Sequence, residues 1–203
     1  MLGRLYAITD RSLIQTSLAA DIEQAVKGGA ELIQLREKNV TDEQYTAYAV
    51  EALGICRKYN VPLIINDNIN VCLAAGADGV HLGQSDASPA EARKILGDAA
   101  IIGVTAKTAQ QARKAFADGA DYIGSGAVFG TTTKGDAKKM DIKTLKSITA
   151  ASELPVYAIG GINADNISQL AGSGIYGAAV VSGIFFGDIK FNAQALSEAV
   201  KKL

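Results

Sequence analysis

Three cations, Arg36, Lys38 and Lys134, and two carboxylates, Asp67 and Asp86, stand in short polar runs that follow apolar ones. Three positive charges on one surface suit a highly charged anion, whose remaining acceptor oxygens Thr131, Thr132 and Thr133 would satisfy with hydroxyls and amides. Two carboxylates with no His or Cys beside them are hard oxygen ligands of the kind Mg²⁺ takes. That ion keeps most of its waters and bridges to phosphate oxygens. Gly160-Gly161-Ile162 and Val181-Ser182-Gly183 are turns whose freed N–H groups, aimed by a following helix, bind phosphate. Each feature also has an ordinary explanation: solvated surface charge, a helix N-cap at Asp86, plain turn glycines. Gathered in one place, they make a site for two phosphorylated compounds, or for one phosphorylated at both ends. Mg²⁺ and the cations would make a diphosphate there a good leaving group by stabilising the charge that develops on it.

Only a particular fold gathers residues so far apart in the chain. The stretch AGADGVHLGQSD (75–86) reads as a turn, a short apolar strand, and a polar loop that opens a helix at Ser88-Pro89. Its opening recurs: Gly29-Ala30-Glu31 and Gly119-Ala120-Asp121 also precede apolar runs, with a weaker copy from Gly174 to Ala178. The steps are roughly 45 to 55 residues, about two strand-plus-helix units, so a second strand series must lie between them. Eight strands result, at 5–9, 32–35, 63–66, 79–82, 101–104, 122–124, 155–160 and 178–181. Helices are expected at 18–27, 71–75, 89–96, 109–117, 142–151 and 164–171, with one from the Thr41–Gln44 capping box to about 59. The last helix is expected to be capped by Asn192 and to run to 202. This alternation predicts an α/β fold, a single-domain (β/α)₈ TIM barrel over residues 1–203. An open doubly wound sheet is the runner-up, but the first strand lacks the G-x-G-x-x-G turn.

In such a barrel all C-terminal strand tips share one rim. Gln34, Arg36 and Lys38 then follow strand two, Asn66 and Asp67 strand three, Gln84 and Asp86 strand four, and Thr105 and Lys107 strand five. The longest connection, 125 to about 140, brings the three threonines and Lys134. The two glycine turns follow strands seven and eight, where barrels bind phosphate. His81, the only histidine, lies within a strand and reads as a satisfied core residue rather than a base. No nucleophile–base pair is visible, so covalent catalysis has no support.

Composition narrows the classes. A chain of 203 residues, 48% hydrophobic, buries one sizeable core, and no linker divides it. A net charge of −1 with scattered signs gives no basic face for nucleic acid. Apolar runs are too short to cross a membrane, and no signal peptide is expected before the first strand. Cys56 and Cys72 fit no metal spacing and read as buried thiols in a reducing cytoplasm. Small-molecule substrates are the expected partners, and homo-oligomerisation stays open.

The segments QLREK (34–38), IND (65–67), DGVHLGQSD (78–86), GVTAKT (103–108), GAVFGTTTKGDA (126–137), AIGGIN (158–163) and AVVSGIF (179–185) together resemble the thiamine phosphate synthase family. The resemblance runs from about Tyr6 to Phe185 with the motifs in the family's order. It implies joining of 4-amino-2-methyl-5-(hydroxymethyl)pyrimidine diphosphate to 4-methyl-5-(2-hydroxyethyl)thiazole phosphate, or its carboxylated form. Diphosphate leaves first, and the thiazole nitrogen captures the resulting methylene cation. On this resemblance Gln34, Leu35, Arg36, Glu37, Lys38, Asn66, Thr105 and Lys134 hold the pyrimidine diphosphate. Arg36, Lys38, Thr105 and Lys134 are the catalytic candidates among them. Asp67 and Asp86 bind Mg²⁺, and Thr131, Thr132, Thr133, Gly161, Val181 and Ser182 hold the thiazole phosphate.

Three positions depart from the family pattern. Thr105-Ala106-Lys107 stands where Ser-Ala/Thr-His is common, Gly126-Ala127 replaces Gly-Pro, and Gly130 replaces a proline. A looser thiazole loop is the expected consequence. A thiazole tautomerase on the same barrel and a non-catalytic phosphate-ligand sensor are the alternative functions. The tautomerase does not need Arg36, Lys38, Asp67, Asp86 and Lys134 together. The sensor has little use for a metal poised at a leaving group.

Overall fold

Side chains in each strand alternate between two destinations, and this builds two cores. In β1 (Leu5–Ile8), Leu5 and Ala7 belong to the apolar layer between strands and helices, whereas Tyr6 and Ile8 fill the interior. The computed structural model describes residues 2–130 and 139–203. The other strands are β2 (Leu32–Leu35), β3 (Leu63–Asn66), β4 (Gly79–Leu82), β5 (Ile101–Thr105), β6 (Tyr122–Gly126), β7 (Val156–Ile159) and β8 (Gly177–Val180). They form a closed barrel in sequence order, every neighbouring pair parallel, with β8 returning to β1. The expected (β/α)₈ class is the observed one. Among the described residues, no helix is long and apolar enough to cross a membrane.

The helices start where side chains satisfy their first amides. They are α1 (Leu18–Lys27), α2 (Asp42–Lys58), α3 (Ile69–Ala75), α4 (Pro89–Leu96), α5 (Ala109–Ala117), α6 (Ile142–Ala151), α7 (Ser182–Phe185) and α8 (Ile189–Val200). Thr41 with Gln44, and Ser88 with Glu91, form complete capping boxes, each cap contributing about 1 kcal/mol. Three expectations change. The third helix starts two residues earlier, because Asn68 caps it through the Val71 amide. The stretch 164–171 holds only a 3₁₀ turn, Ile167–Leu170, whose leading Asn166 makes no side-chain cap bond. The last helix is capped by Asp188, which accepts from Phe191 N, and not by Asn192. Asn192 instead donates to the carbonyls of Ile184 and Phe186, tying α7 to α8.

The recurring Gly-Ala-acid motif belongs to the N-terminal end of the barrel. Its glycines, Gly29, Gly76 and Gly119, have positive φ and turn the chain from helix to strand. Its acids reach the strand before: Glu31 accepts from Arg4 N, Asp78 from Leu63 N and Asp121 from Ile102 N, at 2.7–2.8 Å.

Candidate active site

At the opposite end lies a cavity of about 550 Å³, lined by residues at and beyond the C-terminal ends of the strands. Its β2 side carries a buried cation. Arg36 is only 7% exposed; Nη1 donates to Asp10 Oδ2 at 3.0 Å, and the backbone N–H donates to Thr9 Oγ1. Its buried Nε has no partner among the described residues. An unsatisfied charged donor under a cavity is costly unless an anion completes it. Gln34 and Asn66 line the same wall. Tyr45 of α2 fastens that wall: its hydroxyl lies 2.8 Å from Leu35 O and accepts from Asn66 N at 3.2 Å.

The contiguous run 34–38 divides between two directions. Gln34 and Arg36 line the cavity, whereas the Leu35 side chain is wholly buried in the outer apolar core. Glu37 turns to Arg11, whose guanidinium meets its carboxylate with Nε and Nη2 at 3.1 and 2.8 Å. Lys38 is exposed at the rim, outside the cavity lining. The exits of β1 and β2 are thus cross-tied by Asp10–Arg36 and Arg11–Glu37, with Arg11 also stacked on Tyr48.

Asp67 and Asp86 follow neighbouring strands, β3 and β4, in which Asn66 pairs with His81. Asp67 has left-handed backbone, φ 65°, held by its N–H to His81 O at 2.8 Å, and its carboxylate accepts from Asn66 Nδ2. Asp86 closes a turn by accepting from Gly83 N at 2.7 Å. It does not cap α4, because Ser88 does. Both carboxylates are exposed. Among the described residues, no group of three His, Cys, Asp or Glu side chains could hold a metal ion. Two hard oxygen donors that leave most positions to water and phosphate suit Mg²⁺ and would not suit Zn²⁺.

Across the cavity, the loops after β6, β7 and β8 interlock. Gly160 and Gly161 have φ of 103° and 67°. A Cβ on Gly161 would meet Gly130 O at 2.3 Å, and one on Gly183 would meet Ile162 O at 2.2 Å. Amides of Val128 and Phe129 donate to Ile159 O and Gly160 O, fixing the start of the β6 connection. Gly161, Val181 and Ser182 line the cavity on this side. Thr131, Thr132, Thr133 and Lys134, and with them the expected looser loop, lie outside the described residues.

Thr105 sits between the two sides at the end of β5, its carbonyl accepting from Gln84 Nε2. Lys107 and Gln111 join the lining next to it. Three interior residues, Tyr6, Tyr157 and His81, also line the cavity and were not among the expected site residues. Period-two alternation signals them, since it puts Tyr6, Gln34, His81 and Thr105 on the inward face. His81 is half-buried with hydrogen bonds at both ring nitrogens, as a satisfied core residue should be, yet its ring borders the cavity.

A cavity so placed in a barrel of this topology is characteristic of the (β/α)₈ enzymes, and comparison with known proteins narrows the class. The family model described as thiamine monophosphate synthase matches residues 5–184. The thiamine-phosphate synthase of Ruminiclostridium cellulolyticum is 50% identical over 196 residues, 96% of this chain and 93% of that protein. The thiamine-phosphate synthase 2 of Streptococcus pneumoniae is 46% identical over 202 residues, covering 98% and 95%. The solved structure of the thiamine phosphate pyrophosphorylase from Pyrococcus furiosus superposes with a TM-score of 0.89 at 34% identity, covering 98% of this chain and 95% of that one. This chain belongs to the thiamine monophosphate synthase family, transferases of thiamine biosynthesis.

Proposed function

We propose that the chain joins 4-amino-2-methyl-5-(hydroxymethyl)pyrimidine diphosphate to 4-methyl-5-(2-hydroxyethyl)thiazole phosphate, or its carboxylated form, with release of diphosphate. The observation that carries this reading is the pairing of two anion-holding poles in one cavity. On one side Arg36 keeps a buried N–H with no partner among the described residues; on the other, Gly161 and Ser182 present backbone in interlocked turns. A cavity of about 550 Å³ lies within the range that encloses ligands of this size.

Gln34, Arg36, Asn66 and Thr105 take the pyrimidine diphosphate, with Lys38 approaching from the rim and Lys134 as a further cation. Leu35 and Glu37 act at a distance, one packing the strand and the other anchoring Arg11. Gly161, Val181 and Ser182, with Thr131, Thr132 and Thr133, take the thiazole phosphate. Asp67 and Asp86 hold Mg²⁺, which when bound supplies a Lewis acid for the diphosphate oxygens.

The methylene C–O bond breaks with both electrons passing to the diphosphate. Arg36 meets the growing charge with a donor already in place and largely withdrawn from water, where it is worth most. The aminopyrimidine stabilises the methylene cation, and the thiazole nitrogen lone pair forms the new C–N bond. The protein acts in the cytoplasm, consistent with two buried free thiols, Cys56 and Cys72, whose pKa values burial pushes up to about 12.

Incubation with both substrates and Mg²⁺ tests the reading. Stoichiometric diphosphate and coupled product are expected. Isomerised thiazole alone, or no turnover, overturns it in favour of a tautomerase or a sensor.

A further inference from the structure

The barrel interior contains an unbroken row of polar contacts running from β2 to β5. Gln34 Nε2 donates to Tyr6 Oη at 2.6 Å, and Tyr6 Oη lies 2.8 Å from Tyr122 Oη. Tyr122 Oη lies 3.2 Å from His81 Nδ1, and His81 Nε2 lies 3.0 Å from Thr105 Oγ1. Both ends of the row, Gln34 and Thr105, line the cavity, while Tyr122 is wholly buried beneath it.

Two glycines make room for it. A Cβ on Gly103 would stand 2.0 Å from Tyr122 Cζ, and one on Gly124 would stand 3.0 Å from His81 Cε1. Both lie inside strands, where a glycine forfeits packing unless something needs the space. The rings of Tyr6, Tyr122 and Tyr157 meet edge to face at 5.4–5.7 Å, which fixes where the hydroxyls point.

Proton counting gives the row a direction. Burial raises the pKa of both phenols, so each keeps its one proton. Tyr6 Oη accepts from Gln34, and Tyr122 is its only other polar partner among the described residues, so Tyr6 donates to Tyr122. Tyr122 accepts from Tyr6, and His81 Nδ1 is its only other polar partner among the described residues, so Tyr122 sends its one proton to Nδ1. A neutral imidazole accepting at Nδ1 carries its proton on Nε2, which donates to Thr105 Oγ1.

We infer that this relay is a specificity device: it holds Gln34 with its Oε1 acceptor facing the cavity and Thr105 with its O–H donor facing it. Tyr6, Tyr122 and His81 are positioning residues, and Tyr122 acts without touching substrate. The inference rests on the proposed substrates only for what is recognised: a ring bearing an amino donor near β2 and an acceptor near β5. An aminopyrimidine diphosphate has both. A ring with a carbonyl in place of the amine meets Gln34 acceptor to acceptor and is refused.

Because His81 is the chain's only histidine, ¹⁵N-histidine NMR reads this one ring in the intact protein. The wild type is expected to show an N–H signature at Nε2 and a lone-pair signature at Nδ1. Tyr122→Phe keeps the ring but removes the donor to Nδ1, and should mix the tautomers. It should also raise KM for the pyrimidine diphosphate about tenfold, the scale of one lost hydrogen bond, with KM for the thiazole phosphate unchanged. Thr105→Val should leave the tautomer as it is, since Tyr122 still donates to Nδ1. A wild-type proton on Nδ1 reverses every donor in the row and overturns the inference, even if Tyr122→Phe does not fold. So does a folded Tyr122→Phe whose tautomer and KM match the wild type. The NMR needs no substrate: the expected tautomer in a protein without coupling activity supports the relay and overturns the proposed reaction.

Discussion

At the N-terminal end of the barrel, Glu31, Asp78 and Asp121 perform one task three times. Each carboxylate accepts a backbone amide at or next to the start of the strand before it, Arg4 N, Leu63 N or Ile102 N, and each backbone N–H returns a bond to that strand, to Leu5 O, Leu63 O and Ile102 O. At the C-terminal end the described exits differ from one another. β1 leaves through Asp10-Arg11, β2 through Arg36-Glu37, β3 through a left-handed Asp67, and β7 through two positive-φ glycines. The same strands supply both ends, so strand geometry cannot explain the contrast. Repetition marks the end that only has to close the barrel. Irregularity marks the end where each loop meets a different part of a ligand.

The sharpest way to break this comparison is Arg36→Ala. If the irregular end carries chemistry, turnover should fall by about 10²–10³, the scale of losing one preorganised donor to a developing charge. The melting temperature should fall as well, because the largely buried pair with Asp10 is lost, so the rates are compared at a temperature where both proteins are folded. Steady-state kinetics with each substrate varied should show the pyrimidine diphosphate affected far more than the thiazole phosphate. Equal effects on both would dissolve the two-pole cavity.

Asp67→Asn and Asp86→Asn come next. Each keeps an acceptor oxygen for its local contact, Asn66 Nδ2 or Gly83 N, and removes a charge. The Mg²⁺ concentration for half-maximal rate should rise about tenfold or more, with excess Mg²⁺ restoring part of the rate. Unchanged activity at limiting Mg²⁺ rejects the metal assignment. Ser182→Ala keeps the backbone amide of its turn and removes the hydroxyl, which in the proposed site also bonds the thiazole phosphate. It should act more weakly and on the other pole, raising KM for the thiazole phosphate roughly fivefold, as for one neutral hydrogen bond, without changing that for the diphosphate.

How much of this was readable beforehand follows from which features are local. Short apolar runs and turn glycines are local, so the eight strands and their order came directly from the chain. The rim residues followed because a parallel barrel sends every strand tip to one end. Direction within the rim was harder. The run 34–38 looks continuous in sequence, yet a strand turns successive residues to opposite faces, so Gln34 enters the cavity while Leu35 enters the outer core. The pairings Asp10–Arg36 and Arg11–Glu37 join residues 26 positions apart and depend on the β1–β2 register. Gly103 and Gly124 look like weak points in their strands, and only the Tyr122 and His81 rings beside them show why no side chain fits.

The smallest effect on activity is expected at the repetitive end, and it is the one that makes the contrast quantitative. Asp78→Ala removes the acceptor of Leu63 N, an amide at the start of a strand whose side chain is fully buried. Leaving such a donor unsatisfied costs about 1–3 kcal/mol. For a chain of this size each kcal/mol lowers the melting temperature by roughly 2–4 °C. Asp78→Asn keeps an oxygen in place and should recover most of the loss, which separates a missing hydrogen bond from a missing charge. Throughout, kcat/KM at 25 °C should stay at the wild-type value, since the Asp78 carboxylate sits at the far end of the barrel from the cavity. If Asp78→Ala instead lowers kcat/KM while leaving the melting temperature alone, the two ends are coupled, and repetition in this barrel does not mark a purely structural end.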